Sequence, residues 1–253
     1  SGLAYSIGSD PFLDSEHSTS WQKHDHNKTL IEIKKFIDLK CKNFLDFNKY
    51  SKITEYENST FIPKKIEIFE QNEKNYRFEN LGVHEISKIR DTFDIIYCKA
   101  LEHISNWEDA FSEISKVSKK NTYFYIKHRS FFSYLGPHRY SSIEIPWGHL
   151  LLTDHEFKRF ISEFHENRMM EMDRFYFNDL TYPRKTVSDM IEIAYDSGFY
   201  LHGIKIEPPK YREKVFGKIN EINNFWLILK TNFPTLNLEE MFSGIYHIVF
   251  KKV

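Results

Sequence analysis

The feature that most constrains the fold is residues 91–127, which have the pattern of a strand, a helix and a second strand. Phe93–Cys98 (FDIIYC) is a short apolar run rich in strand-favouring residues, as expected for a strand buried on both faces. Asn106 is a suitable N-cap for a helix through Val117, in which apolar residues recur at helical spacing. Residues 122–126 (TYFYI) form the next apolar run. This order predicts a parallel βαβ unit.

Further segments with strand or helix patterns precede and follow this unit. The predicted strands are 43–47, 64–69, 76–81, 199–206 and 244–251, and the predicted helices are 29–39, 155–164 and 186–197. Because strands and helices alternate along most of the chain, the pattern predicts an α/β fold with an open, doubly wound, mostly parallel sheet.

The length of 253 residues fits one large domain with appended segments. Residues 1–28 are polar and weakly periodic, which predicts an N-terminal arm, and residues 29–253 form the predicted domain. Within that domain, 129–152 is a long connection that we expect to act as a loop or lid. Residues 165–185 are predicted to be a helical insert rich in Met and aromatic residues, facing the core, a second copy of the chain or a partner protein.

Charge and cysteine content exclude several classes of protein. The chain has 35 basic and 36 acidic residues, so no overall basic field favours nucleic acid. No apolar run approaches the ~18 residues of a transmembrane helix. Cys41 and Cys98 form neither a disulfide framework nor a metal cluster, so a reducing cytoplasm is the simplest expectation. The histidines of the arm, His17, His24 and His26, lack a metal-ligand pattern and are interpreted as loop residues.

The βαβ unit carries short motifs in a familiar order: an FD pair opens the first strand, and LEH followed by an apolar residue comes after it. The residues are Phe93, Asp94, Leu101, Glu102, His103 and Ile104. In this respect the chain resembles class I S-adenosylmethionine-dependent methyltransferases. TDHEFKRFI and DSGFYLHGIKIEPP are similar to later parts of that family, and GPHRYSSIEIPWGHLLL resembles a loop of methyltransferases of bacterial surface-polysaccharide clusters.

The resemblance covers roughly residues 29–206. It implies a Rossmann-like fold with a late antiparallel strand, S-adenosylmethionine as cofactor and a small-molecule substrate. It also implies a set of cofactor-binding residues, with an acidic residue after the first strand and a carboxylate for the ribose hydroxyls: Asp46, Asn48, Glu70, His84, Cys98 and Lys99.

One departure from the family concerns the cofactor loop. The family has a glycine-rich turn after its first strand, since glycine lets the backbone approach a ligand closely. Here no glycine occurs between Gly8 and Gly82, and Lys49, Tyr50 and Lys52 follow the predicted strand 43–47. Three explanations stay open: the loop is rebuilt, the family's first strand corresponds to a different segment of this sequence, or the protein has lost the cofactor.

Histidine and arginine concentrate after the strands of the βαβ unit and in the loop 129–152. A neutral imidazole can take a proton from a hydroxyl, an Arg fork binds carboxylate or phosphate, and aromatic rings stack on sugars. The candidate catalytic residues are His103, His128, His138 and His149, and the candidate substrate-binding residues are Arg129, Arg139, Tyr140 and Trp147. Packing within the loop is the structural alternative for these residues, and no metal site is expected.

Three functions remain open at this stage. The first is methyl transfer from S-adenosylmethionine to an oxygen of a small substrate, such as a sugar or glycan precursor. The second is a non-catalytic binding or partner subunit that has lost the cofactor. The third is binding of another nucleotide-like ligand, with Lys49 or Lys52 neutralising phosphate. Fold alone does not decide among them.

Overall fold

The structure is a computed structural model that describes only part of the chain. The described residues are 6–9, 76–79, 81–99, 101–134, 136, 143, 145–179, 184–208, 217, 219, 222–234 and 236–253. The chain divides into two compact units, Ser1–Asp91 and Thr92–Val253. The predicted helix 29–39 and strands 43–47 and 64–69 lie outside the described residues.

The first unit contains a two-stranded parallel sheet. Strand β1 (Ser6–Ser9) belongs to the predicted N-terminal arm, and strand β2 (Tyr76–Glu79) lies within the predicted strand 76–81. The two strands pair in register from Ser6 with Tyr76 to Ser9 with Glu79. A 3₁₀ turn, Val83–Ile89, follows and ends at Arg90, which has a left-handed conformation.

The second unit opens with the predicted βαβ arrangement. Strand β3 (Phe93–Cys98) leads to helix α1 (Trp107–Lys116) and then to strand β4 (Ser118–His128). The side chain of Asn106 accepts a hydrogen bond from the backbone N–H of Asp109 at 3.1 Å, which is the expected N-cap. β3 and β4 pair in parallel, so this prediction is confirmed.

The remaining elements complete a four-stranded sheet with helices. They are α2 (Gly148–Leu151), α3 (Asp154–Phe164), α4 (Met169–Arg174), α5 (Val187–Asp196), β5 (Phe199–Ile206), α6 (Phe225–Asn232), α7 (Leu238–Met241) and β6 (Tyr246–Lys252). The strand order is β3-β4-β6-β5, and β6 is antiparallel to both of its neighbours. The predicted α/β fold, with a late antiparallel strand in an otherwise parallel sheet, is confirmed for this sheet.

Helices α1 and α5 pack together beside one face of the sheet. Phe111 of α1 meets Phe124 of β4 and Phe250 of β6 edge-on, with ring centroids 5.4 and 6.0 Å apart. Phe124 also lies against Phe199 of β5 at 5.8 Å. All four rings are buried, so this aromatic cluster holds α1 against three strands.

A second hydrophobic cluster joins residues of the predicted lid and insert to residues on or next to α3, α6 and α7. Its members include Phe131, Phe132, Tyr134, Ile143, Trp147, Leu150, Phe157, Met172, Tyr176, Phe225, Leu229, Met241 and Phe242. Phe157 of α3 stacks on Tyr176 at 3.8 Å. The described part of 129–152 is therefore packed as core, because apolar side chains from α3 and α6 cover it.

Within the described residues, no helix is both long and apolar enough to cross a membrane. The same part of the chain shows no group of three His, Cys, Asp or Glu side chains placed to hold a metal ion.

Candidate active site at the carboxyl ends of β3 and β4

The site is defined by the edge of the sheet where β3 and β4 end. Cys98, the last residue of β3, pairs with Ile126, so β4 continues two residues further to His128. Lys99 follows β3 and Arg129 follows β4, and both are exposed. In open α/β sheets ligands lie beyond the carboxyl ends of parallel strands, which makes this edge the first place to look for a site.

The LEH motif forms a 3₁₀ turn, Leu101–His103, just beyond β3. Leu101 is completely buried, and its carbonyl accepts a hydrogen bond from the Trp107 indole N–H at 3.1 Å. His103 is exposed at the end of the turn. Burial of Leu101 and the indole hydrogen bond thus fix the turn against the start of α1.

Glu102 is the carboxylate of this turn, and one of its oxygens lacks a hydrogen-bond partner among the described residues. Its Oε2 atom is buried and has no hydrogen-bond partner among the described residues. Burial raises the pKa of Glu102 to about 7, although the charges of Arg129 and Lys99 act in the opposite direction. A carboxyl group that titrates near neutral pH can exchange a proton or accept a ligand's hydrogen bond. Sequence analysis placed Glu102 in the motif but gave it no role in the site.

His128 lies inside the protein at the end of β4. It is 3% exposed, and neither ring nitrogen has a hydrogen-bond partner in the described part of the chain. Its ring meets Trp107 edge-on at 5.7 Å. Burial lowers the pKa of His128 to about 3, so the imidazole is neutral at pH 7. Such a ring is a weak base at neutral pH.

His149 has a clear packing role. Its Nε2–H donates to the carbonyl of Phe131 at 2.6 Å, and its ring meets the Phe131 ring edge-on at 5.2 Å. Burial lowers the pKa of His149 to about 4. Gly136, with φ +65°, brings its backbone to the same ring, where an added Cβ would lie 3.4 Å from the imidazole. His149 therefore joins the two ends of the segment predicted as a lid.

Trp147 is fully buried in the second hydrophobic cluster. Its ring lies 5.1 Å from those of Phe225 and Phe242, and its Nε1 has no hydrogen-bond partner among the described residues. Its backbone is left-handed, with φ +56°. In this conformation the ring faces other aromatic side chains of the protein, so stacking on a sugar would require the loop to move.

The structure also shows a buried carboxylate that sequence analysis missed. Glu240 of α7 is 1% exposed and accepts a hydrogen bond from Ser130 Oγ at 2.6 Å. The backbone N–H of Val187, at the start of α5, donates to both Glu240 oxygens at 3.1 and 3.3 Å. Burial raises the pKa of Glu240 to about 7. In the sequence only the helical spacing of apolar residues could distinguish buried Glu240 from its exposed neighbour Glu239.

The remaining predicted site residues are His84, which lies in the first unit, and six residues that the structure does not describe. His84 is exposed on the 3₁₀ turn of the first unit. Those outside the described residues are Asp46, Asn48, Glu70, His138, Arg139 and Tyr140. Their proposed roles remain predictions from the resemblance and from the sequence pattern.

No protein-family model and no curated protein sequence matches the chain. Among solved structures it is similar to an S-adenosylmethionine dependent methyltransferase from Mesorhizobium loti, with 12% identity, a TM-score of 0.41 and coverage of 81% of this chain and 87% of that one. It is also similar to a candidate methyltransferase of the same kind from Listeria monocytogenes, with 12% identity, a TM-score of 0.39 and coverage of 76% and 78%. A third is a candidate sarcosine dimethylglycine methyltransferase from Galdieria sulphuraria, with 13% identity, a TM-score of 0.38 and 75% of this chain covered.

The chain covers 64% of the length of the Galdieria protein, which is less than two thirds. At these identities and TM-scores the similarities carry no argument about activity. The fold assignment rests instead on the strand order and direction observed in the chain itself.

Proposed function

We propose that the chain is an S-adenosylmethionine-dependent methyltransferase that acts on an oxygen atom of a small substrate, a sugar or glycan precursor. The observation that carries the proposal is where the family-like motif lies. Its FD pair opens β3, and its LEH residues form the turn beyond the carboxyl end of that strand, beside the parallel strand β4. This edge is where open α/β sheets bind ligands.

The described residues at this edge suit part of such a cofactor. The Oε2 atom of Glu102, which has no hydrogen-bond partner in the described part of the chain, can accept a bond from an amino or hydroxyl group. The backbone of Cys98, the last residue of β3, and of Lys99, which follows it, would line the same pocket. When bound, the cofactor supplies an electrophilic methyl group. The protein would act chiefly by holding substrate and cofactor in line, since positioning alone can lower a barrier greatly.

The proposed substrate class is supported by basic and aromatic residues that follow β4 in the sequence. Arg129 is exposed directly after β4, and the predicted residues Arg139 and Tyr140 belong to the following loop. A guanidinium group binds carboxylate or phosphate with two parallel hydrogen bonds, and a tyrosine ring can cover a sugar face. An acidic or nucleotide-linked sugar has both of these groups.

The glycine-free stretch between Gly8 and Gly82 favours a second candidate, a methyltransferase-like binding or partner subunit that lacks the cofactor. Lys49 and Lys52 in that stretch would suit a third ligand class, a phosphate-bearing nucleotide. These candidates differ from the first in the ligand that the purified chain binds.

Isothermal titration calorimetry with S-adenosylmethionine and its demethylated product separates the first candidate from the other two. We expect binding of both compounds by the wild type and at least tenfold weaker binding by Glu102→Gln, because the amide is a poorer acceptor and adds donors at the buried oxygen. Glu163→Gln is the matched control, since Glu163 is an exposed carboxylate on α3 paired with Arg159. Absence of heat and of a thermal shift at millimolar cofactor would refute the proposal.

If binding is found, transfer of a labelled methyl group to a panel of sugar nucleotides and glycan precursors identifies the acceptor. Product analysis by mass spectrometry then determines whether the new bond is to oxygen. Methylation on nitrogen or carbon alone would overturn the oxygen assignment while leaving the cofactor assignment intact.

A further inference from the structure

Two side chains from neighbouring strands and a third from just beyond β5 form a continuous hydrogen-bonded series that the candidate site above does not include. The hydroxyl of Tyr125 on β4 lies 2.6 Å from Nδ1 of His247 on β6. Nε2 of the same imidazole lies 2.8 Å from Oε1 of Glu207, the residue after β5. A hydroxyl, an imidazole and a carboxylate in this order have the connectivity of an acid–base relay.

The direction of these hydrogen bonds follows from the carboxylate. The hydrogen bond from His247 holds the pKa of Glu207 below its usual value, so Glu207 is ionised at neutral pH and can only accept. Nε2 of His247 must therefore carry the proton and donate it. In the neutral ring Nδ1 then has a lone pair, and the Tyr125 hydroxyl donates to it.

Burial decreases along the hydrogen-bonded series from Tyr125 to Glu207. Tyr125 and His247 are 6% and 8% exposed, whereas the side chain of Glu207 is 42% exposed. A proton leaving the tyrosine hydroxyl thus has a path through the imidazole to a carboxylate in contact with solvent.

Tyr125, the buried end of the hydrogen-bonded series, lies close to the edge of the sheet that holds the candidate site. Tyr125 pairs with Tyr97, the residue before the end of β3, and the two rings stack at 5.2 Å. The imidazole ring lies nearly parallel to Tyr125, with centroids 6.0 Å apart. Tyr97 and Tyr125 therefore lie side by side one residue below the carboxyl end of β3, and His247 lies diagonally beyond them on β6, opposite Lys127.

Two cations flank the imidazole on the same sheet face. Lys127 of β4 and Lys205 of β5 are the direct pairing partners of His247, and directly opposed residues of antiparallel strands point to the same side. Both charges help to keep Glu207 ionised. The charged and titratable groups around His247 in the described sheet are thus Tyr125, Glu207 and these two lysines.

We propose that Tyr125, His247 and Glu207 form a proton relay in which Tyr125 takes the proton from the hydroxyl of the acceptor substrate. This role rests on the proposed function. The Tyr125 oxygen accepts the substrate proton while its own proton moves to Nδ1 of His247. With S-adenosylmethionine bound, the freed electron pair of the substrate oxygen would form the bond to the methyl carbon, and the pair of the breaking carbon–sulfur bond would stay with sulfur. The imidazolium then releases its Nε2 proton through Glu207 to solvent.

Nitrogen-15 NMR of the wild type, with the His247 signals assigned by their loss in His247→Gln, tests the relay without any activity. We expect the Nε2–H tautomer at neutral pH, and a shift of the Nδ1 signal in Tyr125→Phe, because the phenylalanine removes the donor. Tyr123→Phe is the matched control, since Tyr123 lies two residues earlier on the same strand and face, and it should leave Nδ1 unchanged. An Nδ1–H tautomer in the wild type would reverse the hydrogen bonds and overturn the relay.

Kinetics test the catalytic role. In Tyr125→Phe and His247→Gln we expect kcat to fall roughly 10²- to 10⁴-fold, the range for loss of general acid–base catalysis, with an unchanged calorimetric Kd for the cofactor. Glu207→Gln should alter the pH–rate profile. Full activity of Tyr125→Phe, or loss of activity only in His103→Ala, would overturn the role of Tyr125. A wild type that binds no cofactor would refute the proposed function and this role with it, while the Nε2–H tautomer would still support the relay geometry.

Discussion

The strongest quantitative prediction concerns Glu240, because its carboxylate is buried and hydrogen-bonded at a junction of three elements. Burial raises its pKa from the ordinary value of 4.5 to about 7. The folded state therefore holds the proton more tightly than the unfolded state. The stability that this provides is complete below pH 4.5 and is lost as the pH rises through 7.

The magnitude follows from the shift. One pKa unit corresponds to about 1.4 kcal/mol, so a shift from 4.5 to about 7 corresponds to about 3 kcal/mol. Glu240→Gln keeps the shape of the side chain and an acceptor oxygen but removes the titration. The free energy of unfolding of the wild type minus that of the variant should fall by about 3 kcal/mol between pH 4 and pH 8. Groups that titrate alike in both proteins, such as Glu102, cancel in this difference.

Urea unfolding monitored by tryptophan fluorescence at pH 4, 5, 6, 7 and 8 provides the measurement. Glu239→Gln is the matched control, since Glu239 is exposed one residue away on the same helix, and it should not show the trend. If the difference between wild type and Glu240→Gln varied by less than 1 kcal/mol over this range, the argument from burial would be refuted. An increase with pH would show that the hydrogen bonds from Ser130 and Val187 outweigh the cost of burial.

Two further predictions concern the backbone. Asn106→Ala should lower the free energy of unfolding by about 1 kcal/mol, because it removes the cap on the Asp109 N–H. Ser105→Ala changes an exposed neighbour and should alter the free energy of unfolding little. Equal losses in both variants would contradict the capping role of Asn106. Gly198→Ala should cost about 1 kcal/mol or more in thermal or urea unfolding, because φ is +80° and the new Cβ would meet Lys252 Nζ at 2.6 Å, whereas an unchanged stability would exclude strain at this turn.

The parts of the fold that could be predicted from sequence are those set by local pattern. Phe93–Cys98 has the composition of a buried strand, and Asn106 is followed by apolar residues at helical spacing, so β3 and α1 needed no tertiary information. The parallel pairing of β3 with β4 followed from the length of the connection. The pairing of Ser6–Ser9 with Tyr76–Glu79 was not predicted, since nothing in a four-residue polar strand specifies a distant partner.

The site was predicted less well because burial decides what a polar side chain does. His149 and His128 have the same side chain as exposed His103, yet desolvation makes the first two rings neutral and weakly basic. Trp147 has the kind of aromatic ring that stacks on sugars, but aromatic neighbours that are distant in the sequence enclose it. Glu207 and His247 join across two strands whose register sequence alone does not give. Long-range packing, rather than local chemistry, separates these outcomes.

The position of β6 between β4 and β5 has a consequence for synthesis on the ribosome. β5 has β6 as its neighbour in the described sheet, so its pairing there cannot be completed until Lys252 has left the exit tunnel. At about 5 to 20 residues per second the intervening chain takes roughly 2 to 9 s to make. During that interval the facing edges of β4 and β5 present open backbone groups, which favour aggregation. A stop codon before Tyr246 would therefore yield a chain that aggregates or is degraded, rather than a folded protein of lower stability.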